Sequence, residues 1–136
     1  MNDKNRIQLD LLMFSVAGVY YAADAAQIAG VEKFRGGRDG SEVWFHEEME
    51  FGCGDICYSS PTVLTIRSGA ETTQRVIIDK MEDIMRVTED DISLFPPLVE
   101  TFALKKGLWG ILLLDGVMVL LLDFERLFSA RRIRTV

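Results

Sequence analysis

Few residues in this chain have side chains suited to catalysis or metal binding. The single histidine, His46, precedes Glu47 and Glu48, and the two cysteines, Cys53 and Cys57, follow in the segment CGDIC. A metal site using His46, Cys53 and Cys57 is one hypothesis, but a C-x₃-C spacing differs from the usual C-x₂-C knuckle. With no second Cys/His pair to complete a tetrahedral site, free cysteines are the default.

Nucleophilic or acid–base catalysis has little support in the sequence. A Ser/His/Asp or Cys/His site would have to use His46, which we expect to lie solvated on the surface. Asp79, Glu82 and Asp83 are close in sequence and suit acid–base work, but the interspersed Lys80 favours a solvated face of mixed charge. We therefore predict no catalytic residue, no metal site and no cofactor, so the protein is not expected to be an enzyme.

Length and composition predict one folded domain. The chain has 136 residues, of which 49% are hydrophobic, and this argues against disorder. Its formal net charge of −6 argues against nucleic acid as a partner, because phosphate binding relies on basic patches. The polar start, MNDKNRIQ, lacks the pattern of a signal peptide, so we expect a cytoplasmic protein.

The most strongly patterned stretch is the apolar block 108–128. Two nearly continuous apolar runs lie at 109–116 and 117–125, and the first ends in Asp115-Gly116. An Asp-Gly pair between apolar runs is a strong hairpin signal, because a type I′ turn needs positive φ at both central residues. Continuous runs predict strands covered on both faces. A membrane helix is disfavoured, because it needs about 20 uninterrupted apolar residues, and no membrane insertion is expected.

Short strand signals also recur through the rest of the chain. Residues 7–22 predict a second hairpin that turns at Ala17-Gly18, and 63–67 and 74–87 predict further strands. Thr88, followed by three acidic residues, predicts the start of a helical turn. With about seven to nine short strands and little helix, the pattern indicates an all-β barrel or sandwich.

Two segments resemble the second half of the CheW-like domain, the chemotaxis coupling family. The first is a strand ending in Asp, followed by spaced apolar residues, a Ser/Thr and prolines; the second is the closing hairpin with its LLDF continuation. The matching positions are Val76, Ile78, Asp79, Met81, Ile84, Val87, Thr88, Ile92, Pro96, Pro97, Gly110, Gly116, Leu121, Leu122, Asp123, Phe124 and Leu127.

The N-terminal half resembles the same family over shorter stretches. Residues 11–22 are similar to its opening hairpin, and Phe34-Arg35-Gly36 is similar to its Leu-Arg-Gly segment. The family's proline after that segment is missing, and glycines replace an expected apolar strand. The resemblance implies two small intertwined SH3-like β-barrels of about five strands each, with little helix. They would form a single domain over 1–136, with the first barrel mainly from about 7–60 and the second from about 61–128.

The resemblance also implies a function without catalysis or cofactor. Such domains couple the cytoplasmic helices of chemoreceptors to the regulatory domain of a histidine kinase. We expect partner contacts at Arg35 and Gly36, from the Leu-Arg-Gly match, and at Trp44, Phe45 and Met49, as exposed apolar residues.

Two alternatives stay open. Exposed edge strands could pair with another copy, which would make the protein a homodimer and a self-associating regulatory domain. The other is a small ligand- or metal-binding barrel using His46, Cys53 and Cys57.

Overall fold

The structure, a computed structural model, describes residues 7–36, 41–50, 56–68 and 72–134. Within these ranges the strands are β1 (Gln8–Val16), β2 (Val19–Asp24), β3 (Ile28–Lys33), β4 (Glu42–Trp44), β5 (Thr62–Ser68), β6 (Thr72–Ile78), β7 (Lys80–Thr88), β8 (Ile92–Ser93), β9 (Leu108–Leu114) and β10 (Val117–Leu122). The helices are α1 (Phe45–Glu48), α2 (Pro97–Lys105) and α3 (Phe124–Arg134), with 3₁₀ turns at Ala25–Gln27 and Glu89–Asp91.

The strands form two sheets, which we call the large sheet and the small sheet. The large sheet has the order β7-β1-β2-β10-β9-β8, and the small sheet has the order β3-β5-β6-β4. The predicted β-rich class is confirmed. The strands divide into six and four instead of five and five, and within the described residues neither sheet closes into a barrel.

The two sheets interleave along the chain. Residues 28–78 supply the small sheet, whereas the large sheet combines strands from both ends. The reason is parallel pairing of β2 with β10, which joins the N-terminal hairpin to the C-terminal hairpin. The predicted division near residue 60 therefore does not coincide with the sheet boundary, while the single domain remains a prediction.

Both predicted hairpin turns have the expected backbone. Ala17 and Gly18 have φ of 55° and 80°, and Asp115 and Gly116 have φ of 51° and 82°. Positive φ at both central residues is what a type I′ turn requires, and its twist matches that of the flanking strands. Local turn chemistry thus sets the register of both hairpins.

The shared core lies between the two sheets and is organised around Phe14. Its ring lies 5.5 Å from that of Tyr21, 5.2 Å from that of Phe45 and 6.0 Å from that of Phe124, measured between centroids. These rings bring together the large sheet, α1 and α3. The other face of the large sheet carries a second core, formed by Leu11, Ala22, Val87, Leu112, Val119 and Leu121.

The C-terminal half contains more helix than predicted. The region 98–107 contains most of α2, and α3 begins at Phe124, shortly after the end of β10. The Oδ1 atom of Asp123 accepts hydrogen bonds from the N–H groups of Glu125 and Arg126 at 3.0 and 3.3 Å, which caps α3. Among the described residues, none of the helices has the length and apolar character needed to cross a bilayer.

Candidate partner-binding surface

Four rings form a cluster at Trp44, on the outer face of the small sheet, which is the face turned away from the shared core; one of the four, Tyr58, also packs against the shared core. They are Phe34, Trp44, His46 and Tyr58, and we call them the aromatic cluster. Trp44 is central: its ring meets those of Phe34 and Tyr58 edge-to-face, at 5.5 and 4.9 Å, and His46 lies 6.2 Å away. Edge-to-face pairs of this kind contribute about 0.5–1.5 kcal/mol beyond their area burial.

Strand register explains what the aromatic cluster covers. Parallel pairing of β4 with β6 sets Trp44 beside Ile77, and antiparallel pairing of β5 with β6 sets Val63 beside Ile77. Directly paired residues share one face of a sheet. Val63 and Ile77 are each only 1% exposed although they face away from the shared core. The cluster therefore protects a small apolar patch that would otherwise face solvent.

The Tyr58 hydroxyl ties the cluster to α1. It accepts a hydrogen bond from the backbone N–H of His46 at 3.2 Å and lies 3.0 Å from the His46 Nδ1 atom. Burial raises the pKa of Tyr58 to about 12, with a further rise from the carboxylates of Asp79 and Glu47 and an opposing effect of the His46 N–H bond. His46, expected to be solvated, is half-buried because this hydroxyl and the Trp44 ring lie against it.

Beside the cluster, the chain leaving β3 is exposed. Arg35 and Gly36 are both exposed, and Gly36 has a φ of 73° with open space around its Cα atom. The Phe34 N–H donates to the Pro61 carbonyl at 3.1 Å, which fixes where this segment departs. In the part of the chain that the structure describes, Arg35 forms no ion pair, so its charge faces solvent.

Two shallow cavities flank Phe34. The larger, about 300 Å³, is lined by Lys33, Phe34, Ser59, Ser60, Pro61 and Thr62. The smaller, about 170 Å³, contains Arg35 and an ion-pair network in which Arg75 bridges Glu32 at 3.2 Å and Glu42 at 2.6 Å. This end of the small sheet thus combines an exposed cation, a ring edge and concave surface, which are features of a protein contact.

Two of the five predicted contact residues are not exposed. Phe45 is 0% and Met49 is 5% exposed, so the expectation of an exposed apolar surface was wrong for both. The reason is α1: its single turn places these residues, four apart, on one face, which packs into the shared core. Trp44 is half-buried, and only Arg35 and Gly36 lie open to solvent.

The proposed metal site can be compared with the structure only in part, because one of its three residues lies outside the described ranges. Cys53 lies outside the described residues, while Cys57 is a free, exposed cysteine. Among the residues that are described, no group of three or more His, Cys, Asp or Glu is placed to hold a metal ion.

Neither Phe34 nor Tyr58 was predicted from the sequence as part of this surface. Phe34 belongs to the Phe34-Arg35-Gly36 match, but only Arg35 and Gly36 were assigned to a contact. Tyr58 follows Trp44 by 14 residues, and no local pattern links the two rings.

A separate apolar ridge lies on α2 and the segment before it. Leu94, Leu98 and Phe102 are 69%, 87% and 70% exposed, and Lys105 lies 6.0 Å from the Phe102 ring centroid. Most of α2 projects from the protein, and Ala103 is its one buried residue. An exposed apolar ridge of this kind typically marks an interaction site.

Comparisons with known proteins bear on the fold. No protein-family model matches the sequence, and no curated protein matches it either. Among solved structures, the scaffolding protein TtCheW from Thermoanaerobacter tengcongensis matches with a TM-score of 0.68 and 17% sequence identity, covering 90% of this chain and 94% of that one. At that identity the likeness concerns the fold, and the chain has a CheW-like fold, as the resemblance predicted.

Proposed function

We propose that this protein is a non-enzymatic cytoplasmic adaptor in chemotaxis-type signal transduction. It would link the cytoplasmic helices of a chemoreceptor to the regulatory domain of a histidine kinase. The observation that carries this proposal is the shared fold with a CheW scaffolding protein over nearly the whole chain.

The proposed contact surface is the outer face of the small sheet. Arg35 and Gly36 supply an exposed cation and an open backbone, and the half-buried Trp44 supplies ring surface next to them. Arginine and tryptophan are the residue types that most often dominate binding energy at interfaces. Phe45 and Met49 would support this surface from the core and would not touch a partner.

A binding measurement tests the proposal directly. Purified protein would be titrated with a histidine-kinase regulatory domain and, separately, with a chemoreceptor cytoplasmic fragment, using calorimetry and sedimentation. We expect a one-to-one complex with at least one of them. Arg35→Glu should weaken that complex about tenfold or more, as expected for a central charged contact.

Lys80→Glu is the matched control, because Lys80 is an exposed cation on β7, in the other sheet. It changes the net charge as Arg35→Glu does and should leave affinity unchanged. Failure of both partners to bind at high micromolar concentration would remove the adaptor function. An equal loss of affinity in both variants would mean that the Arg35 effect comes from the change in net charge and not from a contact at Arg35.

The α2 ridge favours a second candidate, a self-associating regulatory domain. Leu98 and Phe102, four residues apart on α2, are 87% and 70% exposed, and neighbouring exposed apolar side chains mark interaction sites. If this ridge joins two copies, Leu98→Glu should dissociate a dimer seen by sedimentation, whereas Leu113→Glu, at another exposed leucine, should not. A monomeric wild-type protein would exclude this candidate.

A further inference from the structure

The nine-residue strand β7 lies at one edge of the large sheet. It pairs with β1 on one side, and among the described residues no strand pairs with its other side. A long edge strand exposes N–H and C=O groups that can template pairing with another chain. Ile84 and Met81 on this strand are 56% and 38% exposed, so the edge also offers apolar side chains.

Two N–H groups of this edge are already occupied by carboxylates. The Ile84 N–H donates to the Asp83 Oδ1 atom at 2.7 Å, and the Thr88 N–H donates to the Asp91 Oδ2 atom at 3.0 Å. In an antiparallel pair, alternate residues direct their backbone groups away from the neighbour. Ile84 and Thr88 have the same parity, so both N–H groups belong to the outward row. The two aspartates therefore satisfy donors that a docking strand would use.

A β-bulge adds to this protection. Met13 pairs with Asp83 and the next residue of β1, Phe14, pairs with Met81, so Glu82 is an extra residue on β7. Bulges twist an edge away from further pairing. The bulge and Asp83 lie on β7, and Asp91 lies in the 3₁₀ turn that follows it, so both aspartates act at the long strand for which the described residues supply no second neighbour.

We propose that β7 is a strand-pairing surface for a second copy of this chain, which Asp83 and Asp91 hold closed. The charge pattern selects that occupant. In an antiparallel two-fold pairing centred on Ile84, Glu82 of each copy lies opposite Arg86 of the other. Centring the pairing on Glu82 or on Arg86 instead sets like charges opposite each other. In the register centred on Ile84 the strand is thus complementary to itself, and the Asp83 contact occupies the central N–H of that register.

Removing the aspartates should open the edge. Sedimentation velocity over a concentration series would compare the wild-type protein with the Asp83→Ala/Asp91→Ala variant and with each single variant. We expect self-association to tighten about tenfold for each substitution, because the two-fold axis makes every freed N–H count twice. Glu89→Ala/Glu125→Ala removes the same charge from two exposed positions and should behave as wild type.

Two further variants locate the contact. Ile84→Lys in the double variant should restore the monomer, since an edge lysine opposes strand addition. Arg86→Glu in the double variant should weaken the dimer, and adding Glu82→Arg should restore it by exchanging the charges.

A double variant that keeps the native circular dichroism spectrum and shows no gain in association would overturn the proposal. A wild-type dimer that Ile84→Lys dissociates would overturn it as well, since the edge would then be open. Because no receptor or kinase enters these experiments, their outcome is independent of the adaptor function.

Discussion

The large sheet and the outer face of the small sheet bury apolar side chains in different ways. The large sheet has a core on each face, with Phe14 at the centre of one and Leu121 in the other. On the outer face of the small sheet, by contrast, Val63 and Ile77 belong to neither core, and among the described residues the aromatic cluster lies beside them. Substitutions in the large sheet should therefore act on stability, whereas substitutions around the cluster should act mainly on binding.

The largest effect should come from the shared core. Phe14→Ala removes a 0% exposed ring that contacts three other rings, so it leaves a cavity at the junction of both sheets. We expect a loss of about 3–5 kcal/mol in the free energy of unfolding, measured by urea denaturation. Leu113→Ala, at a 67% exposed site on β9, should cost little. Similar losses for the two variants would contradict the contrast.

A pair of glycine variants separates packing from backbone strain. Gly107 and Gly116 have nearly equal φ, 79° and 82°, but a Cβ atom at Gly107 would lie 2.7 Å from the Asp123 carbonyl oxygen, while Gly116 has nothing within 4 Å. Both alanine variants should lose stability through the left-handed backbone. Gly107→Ala should lose about 1–3 kcal/mol more, because backbone atoms cannot yield easily. If thermal unfolding shows equal losses of stability in the two variants, the backbone conformation alone would account for the loss and the close contact at Gly107 would not.

Local signals predicted the features that depend on neighbouring residues. The Ala17-Gly18 and Asp115-Gly116 turns follow from the needs of a type I′ turn, and the turn after Thr88 follows from its acidic residues. The parallel pairing of β2 with β10 joins residues about a hundred positions apart, and no local pattern encodes it. This pairing is why the division into barrels near residue 60 differed from the sheets.

The candidate surface was predicted only in part, for the same reason. Arg35 and Gly36 were found through a three-residue match, and both are exposed. The burial of Phe45 and Met49 depends on the direction in which one helical turn faces, and the alternating pattern of β4 does not specify that direction. The contact between Trp44 and Tyr58 joins residues 14 positions apart, and composition alone does not determine it.

The Gln27 side chain bridges Asp123 and Phe124 at the start of α3, and its removal should have an effect of intermediate size on stability. The Gln27 Nε2 atom donates to the Asp123 Oδ1 atom at 2.9 Å, and its Oε1 atom accepts from the Phe124 N–H at 3.1 Å. Gln27→Ala leaves the part-buried Phe124 N–H without that acceptor, so we expect a loss of about 1–3 kcal/mol. Hydrogen exchange should show faster opening at the start of α3. Unchanged protection there would mean that the Asp123 cap holds the helix alone.

The smallest change in stability should come from the aromatic cluster. Tyr58→Phe removes the acceptor of the His46 N–H and should cost about 1 kcal/mol at neutral pH. Burial raises the pKa of Tyr58 from 10.0 to about 12, so the unfolded chain loses this proton first, and stability falls as pH rises between those values. Urea denaturation as a function of pH should show a shallower alkaline decline in Tyr58→Phe. Tyr21, whose pKa is also raised by burial, would retain part of that decline. Identical profiles for the variant and the wild type would mean that the Tyr58 hydroxyl is as accessible to solvent in the folded protein as in the unfolded chain. The aromatic cluster would then be an open surface.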